Sequence, residues 1–359
     1  MRLDWELKIM PRPAFIDLYS DTKSKPTDGM RKYMMSVEVG DEQKDEDPNV
    51  LDLCARVADM LGKEAAVFLP SGTMCNEIAL AVHCRPGDEI ILHESAHIMV
   101  SETGGPAALS GVMVRGVQGE NGIFDGDTLK KAIRPESRYL QQSRLVTIEQ
   151  TSNFGGGAIW PMTTLQDVIA VARKADIILH MDGARLLNAV VASGVSAKDY
   201  AEPFDSAWID LSKGLGGPVG AVLAGTRDFI RQAWRLKQRW GGAMRQAGFL
   251  AAAGIYALDH HVERLAEDHE NARALARGLA ELPGIKMTAG EVQTNIVFFD
   301  VGGTGQSPAD ITGALKAKGV GIGGGGLFGP TAMRAVTHIG VSRADIDEAL
   351  KAMRDVLAV

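Results

Sequence analysis

Short apolar runs recur between residues 65 and 224 of this 359-residue chain, and most lack the polar alternation of a half-exposed strand. Continuous apolar runs of this length are typical of strands buried on both faces of a sheet. The predicted strands are Ala65–Leu69, Glu89–Leu92, Val112–Val117, Leu145–Ile148, Ile177–Met181, Ser206–Ile209 and Gly220–Leu223. Helical segments separate several of them, at Thr73–His83, Asp127–Ile133 and Thr164–Lys174. This alternation predicts an α/β fold around a mostly parallel, seven-stranded sheet covered on both sides.

The rest of the chain predicts a second, smaller unit. The segments Asp228–Arg239 and Gln246–Arg264 are predicted helices, and we place a domain boundary inside the second, near residue 260. Beyond it the predicted helices are Glu267–Leu282, Ala309–Lys318 and Arg343–Val356, and the predicted strands are Ile285–Thr288, Asn295–Asp300, Val320–Ile322 and Met333–Thr337. Gly323–Gly326 is expected to be a loop. The chain thus divides into an N-terminal extension over 1–16, a large α/β domain over 17–260 and a small C-terminal α+β domain over 261–359.

Charge and composition narrow the class of protein. The formal net charge of −7 gives no electrostatic case for binding nucleic acid or anionic membranes. No apolar run approaches the ~20 residues that a membrane span requires. The three cysteines are Cys54, Cys75 and Cys84, an odd number without C-x-x-C spacing. This pattern favours reduced, core-filling thiols in a cytoplasmic protein and argues against disulfides or a zinc site.

Two segments, residues 180–185 and 211–214, carry the most chemical information. Asp182 ends an apolar run and is followed by Arg185, and Lys213 stands between a serine and a glycine just after the next run. An acid and a lysine at adjacent strand ends are what pyridoxal phosphate (PLP) chemistry needs, because the lysine forms the Schiff base and the carboxylate keeps the ring nitrogen protonated. Other interpretations stay open. Asp182 could cap a helix, Lys213 could be a surface lysine, and Arg185 could pair with Asp182 or hold a substrate carboxylate.

Two further places suit the same cofactor. Ser71, Gly72 and Thr73 follow a predicted strand and open a predicted helix, where free N–H groups and the helix dipole favour an anion such as phosphate. Ser71 or Thr73 could equally be a simple helix cap. His97 follows another strand at the same sheet edge, a position that favours stacking on a flat ring or proton transfer.

Several motifs together resemble those of one family. They are Asp17–Thr22, Val67–Thr73, Ala96-His97, Asp182–Arg185, Leu211–Gly214, Met244–Gln246 and Arg334–His338. Their order and spacing, from about residue 17 to the end, resemble the low-specificity L-threonine aldolases. These enzymes share the PLP-dependent transferase-like fold type I, and the resemblance implies that fold here, with PLP as cofactor.

The resemblance also implies a role for each matched residue. Lys213 would carry the cofactor, Asp182 would pair with its ring nitrogen, and His97 would stack on its face. Ser71, Gly72, Thr73, Arg185 and Ser212 would lie around the cofactor, with Gly72 and Thr73 on its phosphate. Ser20, Arg185 and Arg334 would hold the substrate carboxylate. Arg245 resembles an arginine that reaches the phosphate of a neighbouring subunit, which implies a homotetramer built from dimers that share active sites.

Two positions depart from the family pattern. Ser152 stands where the family usually has a histidine near the substrate hydroxyl, and Lys44 stands in the place of a tyrosine in an acidic loop. We still predict a substrate-binding role for Ser152, and we expect the triple glycine Gly155–Gly157 after it to make the loop flexible. These differences predict a pocket shaped for a somewhat different β-hydroxy amino acid.

The resemblance implies retro-aldol cleavage of an L-β-hydroxy-α-amino acid of the threonine, allo-threonine or phenylserine type. The base that removes the hydroxyl proton stays open between His97, a water held near Ser152, and Lys213. The alternatives within the same fold are a β-eliminating lyase and a serine hydroxymethyltransferase-like enzyme. A non-catalytic binding module is disfavoured because the lysine is intact, and a dinucleotide-dependent dehydrogenase because no G-x-G-x-x-G follows a first strand.

Overall fold

The computed structural model describes residues 15–288 and 290–357. All but the last two residues of the predicted N-terminal extension, 1–16, lie outside the described residues. The strands of the described residues are β1 (Ile16–Asp17), β2 (Ala65–Leu69), β3 (Glu89–His93), β4 (Met113–Val117), β5 (Ser143–Glu149), β6 (Ile178–Gly183), β7 (Ser206–Asp210), β8 (Ala221–Gly225), β9 (Lys286–Met287), β10 (Ile296–Asp300), β11 (Val320–Gly321), β12 (Gly323–Gly324) and β13 (Ala332–Val336).

The α-helices of the same residues alternate with these strands over most of the chain. They are α1 (Asp28–Ser36), α2 (Pro48–Met60), α3 (Gly72–His83), α4 (His97–Val100), α5 (Gly126–Ala132), α6 (Met162–Lys174), α7 (Leu186–Ser193), α8 (Ala197–Ala201), α9 (Arg227–Arg239), α10 (Gly248–His260), α11 (Leu265–Ala280), α12 (Pro308–Ala317) and α13 (Arg343–Leu357). No helix of the described residues is long and apolar enough to cross a membrane.

The central sheet has the predicted seven strands, in the order β2-β8-β7-β6-β5-β3-β4. Strand β8 runs antiparallel to both of its neighbours, and the other pairs are parallel. The prediction of a mostly parallel sheet is therefore confirmed. Its strands are buried on both faces: in β2, Phe68 packs in one hydrophobic cluster while Val67 and Leu69 pack in another.

A second sheet, β12-β13-β10-β9, lies in the C-terminal part of the chain, with its own hydrophobic core under α11, α12 and α13. The loop prediction for Gly323–Gly326 is wrong for its first half, because Gly323 and Gly324 pair with Arg334 and Met333 as strand β12. Backbone pairing needs no side chain, and the positive φ of Gly325, 68°, ends the strand.

The beginning of the described chain joins this C-terminal part. Strand β1 runs parallel to β11, and Leu18 packs in the C-terminal core. The first residues of the predicted large domain, 17–260, therefore contact the C-terminal part of the chain, and the division into domains stays a prediction. The single predicted helix Gln246–Arg264 is α10, which ends at His260, where the domain boundary was predicted.

Candidate active site

A cavity of about 470 Å³ opens at the carboxyl ends of the central strands. Glu149, Asp182 and Asp210 lie at or near the ends of β5, β6 and β7, and all three line it. In open α/β sheets this edge is where ligands bind. The predicted site residues that line the cavity are Ser20, Ser71, Gly72, Thr73, His97, Asp182, Arg185, Ser212, Lys213 and Arg334.

Asp182 is fully enclosed and is held by two donors. Its Oδ1 accepts a hydrogen bond from the Ala184 N–H at 3.0 Å, and its Oδ2 accepts one from Asn76 Nδ2 at 2.9 Å. Because α7 begins only at Leu186, Asp182 does not cap that helix. Burial raises the pKa of Asp182, while the positive charge of His97 and the Asn76 hydrogen bond oppose the rise. A cationic ring nitrogen in contact with it would favour the ionised carboxylate further.

Asn76 ties this carboxylate to the rest of the site. Its Nδ2 also donates to Glu102 Oε1 at 2.8 Å, and its Oδ1 accepts from Trp208 Nε1 at 2.7 Å. Both the N–H and the C=O group of the Asn76 amide therefore have hydrogen-bond partners. These bonds fix the orientation of the amide and of the carboxylates of Asp182 and Glu102. Sequence reasoning missed Asn76, although it follows Thr73 by one helical turn on α3 and so faces the same side of the helix.

Lys213 lies just beyond the end of β7, the parallel neighbour of the strand β6 that carries Asp182. Its Nζ donates to Asp210 Oδ2 at 2.6 Å, and the other oxygen of Asp210 accepts from the Ser212 N–H and Oγ at 2.7 and 2.8 Å. The side chain is 19% exposed and passes 5.7 Å from the Trp208 ring. Lys213 is therefore not a free surface lysine. Asp210, which holds its amine, was not predicted.

The N-terminus of α3 forms another wall. Ser71 caps the helix, because its Oγ accepts from the Met74 N–H at 3.2 Å. The Trp208 ring packs so closely that a Cβ on Gly72 would clash with it, which explains the glycine. Ser71, Gly72 and Thr73 all line the cavity. Free N–H groups at this helix end suit a phosphate.

His97 begins α4 and lines the cavity, with its Nδ1 2.7 Å from Glu102 Oε1. Burial alone would lower the pKa of His97, but the Glu102 hydrogen bond and the charge of Asp182 raise it above the ordinary value. Glu102 in turn lies against the carboxyl of Glu77. Burial and the charge of Glu102 raise the pKa of Glu77 to about 8. Neither Glu102 nor Glu77 was predicted.

We expect Glu102→Gln to lower the pKa of His97, since the substitution removes the carboxylate that stabilises the imidazolium. The pH profile of kcat/KM reports groups of the free enzyme. The limb that belongs to His97 should therefore move to lower pH. Glu136→Gln, a change at an exposed residue outside the cavity, serves as the control. A profile that is identical in all three proteins would contradict this link between Glu102 and His97.

The two arginines of the site share one partner, because Arg185 Nη1 donates to Asn153 Oδ1 at 3.3 Å and Arg334 donates to the same oxygen, but their other contacts differ. The guanidinium of Arg185 binds both oxygens of Asp21, from Nε and Nη2, at 2.7 Å each. Pairing of Arg185 with Asp182, one of the alternatives from the sequence, is therefore wrong, and Asp21 was missed. Arg334 donates from Nη2 to Asn153 Oδ1 at 2.8 Å, and its buried Nε has no protein partner among the described residues. Burial and the nearby charge of Arg185 lower the pKa of Arg334 to about 10.

Arg334 is accordingly the better placed of the two to receive a carboxylate. We expect Arg334→Gln to raise KM for the amino acid about 10- to 100-fold, the effect of losing a hydrogen bond to a charged group. The effect on kcat should be much smaller. Steady-state kinetics on the variant and the native chain check this. An unchanged KM would place the carboxylate elsewhere.

Arg185→Gln should lower the stability of the fold, whereas Arg334→Gln should raise KM. It would leave Asp21 buried without its ion partner, at a cost of about 3–5 kcal/mol in the free energy of unfolding. Burial alone would raise the pKa of Asp21, but Arg185 holds it well below its ordinary value. The ion pair between Arg185 and Asp21 therefore stabilises the fold above pH ~4, and this stabilisation is lost as pH falls further. Denaturant unfolding at pH 7 measures the loss, and a variant as stable as the native chain would contradict it.

The sequence comparisons agree with this geometry. The beta-eliminating lyase family matches residues 17–301. The low-specificity L-threonine aldolase of Escherichia coli K12 is 39% identical over 344 residues, which cover 96% of this chain and 99% of the relative. The chain belongs to the low-specificity L-threonine aldolase family. Low-specificity L-threonine aldolase 1 of Arabidopsis thaliana is 40% identical over 290 residues, or 80% of this chain and 81% of that one.

The fold of the family is also found among solved structures. Threonine aldolase from Leishmania major superposes with a TM-score of 0.80 at 20% identity, covering 95% of this chain and 99% of that one. The predicted fold type I is thus confirmed, and family and fold indicate PLP as the cofactor. The donor set fits that group. Lys213 offers an amine for its aldehyde, Asp182 a buried carboxylate for its ring nitrogen, and the N-terminus of α3 a place for its phosphate.

Ser152 and Arg245 do not line this cavity. Ser152 is buried, and its Oγ accepts from the Gly155 N–H at 3.2 Å. Gly155 packs so closely against the Asn121 carbonyl that a Cβ would clash, so the glycines that follow Ser152 form a tightly packed turn. The side chain of Arg245 is 62% exposed and pairs with Asp41 at 2.8 Å. In this threonine aldolase family member, a role for either residue in the site stays a prediction.

Proposed function

We propose that this chain cleaves the Cα–Cβ bond of L-β-hydroxy-α-amino acids, giving glycine and an aldehyde. The observation that carries this proposal is the convergence of Lys213, Asp182 and Arg334 on one cavity. These three supply an amine for the cofactor, a counter-ion for its ring, and a cation for the substrate carboxylate. The names of the curated relatives support the same reaction.

Each group of the site has a distinct task in this reaction. Bound PLP supplies an electron-accepting ring for the bond that breaks at Cα. Asp182 holds a proton on the ring nitrogen, and Asn76 fixes the direction of its carboxylate. Arg334 would bind the substrate carboxylate and so fix the orientation of the bonds at Cα. Orientation of this kind accounts for a large part of the rate in many enzymes.

His97 is our choice for the group that accepts the hydroxyl proton. Its Nδ1 is taken by Glu102, which leaves Nε2 as the ring nitrogen available to the substrate. Burial alone would lower the pKa of His97, but the hydrogen bond with Glu102 and the charge of Asp182 raise it above its ordinary value, so these carboxylates stabilise the protonated ring that forms when His97 accepts a proton. Water near Ser152 has less support, because that side chain does not line the cavity.

The test is a substrate panel on the purified, PLP-saturated protein. L-threonine, L-allo-threonine, L-phenylserine and the corresponding D-isomers are compared, with glycine and aldehyde both quantified. Equal amounts of the two products from L-isomers alone are expected, because the curated relatives are named for the L-isomer. Release of glycine from none of them would refute the proposal.

A second candidate is β-elimination, in which the bond from Cβ to its hydroxyl breaks instead. It is favoured by one observation, the match of residues 17–301 to the beta-eliminating lyase family. Pyruvate and ammonia from L-serine would mark this activity. Glycine release without keto acid would exclude it.

We further propose that the protein is cytoplasmic and assembles as a homotetramer. In this assembly Arg245 would reach the phosphate of a neighbouring subunit's cofactor. The exposure of Arg245 and its absence from the lining of its own subunit's cavity support this role. Sedimentation of the native chain tests the assembly, and Arg245→Ala tests the contact. Weaker binding of PLP in the variant is expected, and unchanged binding would contradict the role of Arg245.

A further inference from the structure

A chain of hydrogen bonds reaches Asp182 through Asn76 from three side chains that do not line the cavity. The Nε2 atom of His83, at the end of α3, lies 2.8 Å from the hydroxyl of Ser206 on β7. The same hydroxyl lies 2.8 Å from Nδ1 of His180 on β6, and Nε2 of His180 lies 3.2 Å from Asn76 Oδ1. Asn76 in turn donates to Asp182. Three elements of the fold thus converge on one carboxylate.

The orientation of the Asn76 amide fixes the first link of this chain. An indole N–H can only donate, and Trp208 Nε1 lies 2.7 Å from Asn76 Oδ1. The other end of the amide faces two carboxylate oxygens, of Asp182 and Glu102, which accept its N–H groups. Because the carbonyl oxygen of Asn76 can only accept, Nε2 of His180 must carry a proton.

The remaining links follow from that proton. Burial lowers the pKa of His180 to about 3 and that of His83 to about 4, so both rings are neutral at pH 7 and each carries one N–H. Nδ1 of His180 is therefore an acceptor, and the Ser206 hydroxyl donates to it. The oxygen of Ser206 in turn accepts from Nε2 of His83. The charges of Asp205 and Arg144 act on His83 with opposite signs.

Every donor in the chain therefore points toward Asp182. Aligned hydrogen bonds polarise one another inside a protein, where the dielectric constant is low. His180 and Ser206 are fully buried, and Asn76 and Asp182 are nearly so. The bond from His180 occupies a second lone pair of the Asn76 carbonyl, beside the bond from Trp208, and so makes the opposite N–H group a better donor. A better donor to a carboxylate favours its ionised form.

We propose that His180 and Ser206 are positioning residues, which hold the Asn76 amide so that the Asp182 carboxylate stays ionised and directed at the ring nitrogen of the cofactor. Neither residue lines the cavity, and both act through Asn76. The inference rests on the proposed role of Asp182 and does not depend on which bond of the substrate breaks. The competing explanation is that the chain only satisfies buried polar groups and stabilises the fold.

Three variants separate these explanations. His180→Leu removes the N–H that Asn76 accepts, whereas His180→Gln keeps a side-chain amide that can donate in its place. Ser206→Ala removes the hydroxyl that fixes the proton of His180 on Nε2. It changes the core by a single oxygen atom, so it tests the chain even if His180→Leu does not fold. His260→Gln, at an exposed histidine outside the cavity, is the control.

The first readout needs no substrate. The absorption of the lysine-bound cofactor changes with pH as the nitrogen that joins it to Lys213 loses its proton. A positive charge on the ring nitrogen lowers the pH of this change, because like charges disfavour each other. We expect His180→Leu and Ser206→Ala to move the change upward by about one pH unit, a tenfold change in proton affinity. His180→Gln should stay close to the native value.

The second readout is the split between kcat and KM. We expect kcat for the preferred substrate to fall about 5- to 10-fold in His180→Leu and in Ser206→Ala, the effect of losing one hydrogen bond. KM and the affinity for PLP should change by less than about threefold, since Arg334, Lys213 and the N-terminus of α3 are untouched. His180→Gln should recover most of the rate.

The outcomes separate positioning from a purely structural role. Lower thermal stability with an unchanged cofactor titration in His180→Leu and Ser206→Ala would overturn the proposal, and so would equal shifts in His180→Leu and His180→Gln. An unchanged titration in a protein that releases glycine would leave the aldolase function standing. A shifted titration in a protein that releases no glycine from any substrate would support the positioning chain and overturn the aldolase function.

Discussion

Replacing Lys213 with alanine is expected to abolish turnover and to remove the absorption band of the lysine-bound cofactor. The loss in kcat should be on the order of 10⁴-fold or more, as for other enzymes deprived of the residue that bonds covalently to the reacting group. Among the described residues that line the cavity, Lys213 is the only lysine, so no neighbour can take over its bond to the cofactor.

The fold should survive this substitution. Asp210, the ion partner of Lys213, keeps two hydrogen bonds from Ser212. A thermal melt that stays cooperative, at a lower temperature because buried Asp210 loses its ion partner, would show that the chain still folds and that the loss of activity is chemical. Lys198→Ala, at an exposed lysine, should leave both spectrum and activity unchanged. A Lys213→Ala protein that keeps both the absorption band of the lysine-bound cofactor and its activity would contradict the role of Lys213.

Asp182→Asn should retain the cofactor but lose most of the rate. The amide has nearly the shape of the carboxylate but no charge to hold a proton on the ring nitrogen, so the ring becomes a weaker electron acceptor. Loss of one such electrostatic contact typically lowers kcat by about 10²- to 10³-fold. PLP should stay bound, because Lys213 and the N-terminus of α3 are untouched.

The measurement pairs absorption spectra, which report the bound cofactor, with kcat for the preferred substrate. Asp228→Asn, at an exposed aspartate of α9, is the matched control. A kcat within about fivefold of the native value would contradict the role of Asp182 in activating the ring. Loss of the cofactor itself would show instead that Asp182 acts in binding.

The sequence predicted the sheet well because its strands are buried on both faces and leave continuous apolar runs. It could not predict that β8 is inserted, antiparallel, between β2 and β7, since strand order depends on contacts between distant segments. The pairing of β1 with β11 was missed for the same reason. The pairing of β1 with β11 brings Ile16 beside Val320, and the pairing of β2 with β8 brings Ala65 beside Gly225.

The site was predicted in part. Asp182 and Lys213 were found because an acid and a lysine directly after apolar runs are unusual and belong to one chemistry. Their partners Asn76 and Asp210 were missed, because hydrogen-bond partners are set by the folded geometry. The spacing of three residues from Asp210 to Lys213 was the one local signal, and a charge pair at that distance is common on any protein surface.

The most direct test of the central claim is to follow which bond of L-threonine breaks. Cleavage of Cα–Cβ gives glycine and acetaldehyde, whereas β-elimination gives 2-oxobutanoate and ammonia from the same substrate. All four products are quantified over time with the PLP-saturated native chain, alongside L-phenylserine. We expect glycine and aldehyde in equal amounts from both substrates, and no keto acid. Keto acid and ammonia without glycine would contradict Cα–Cβ cleavage.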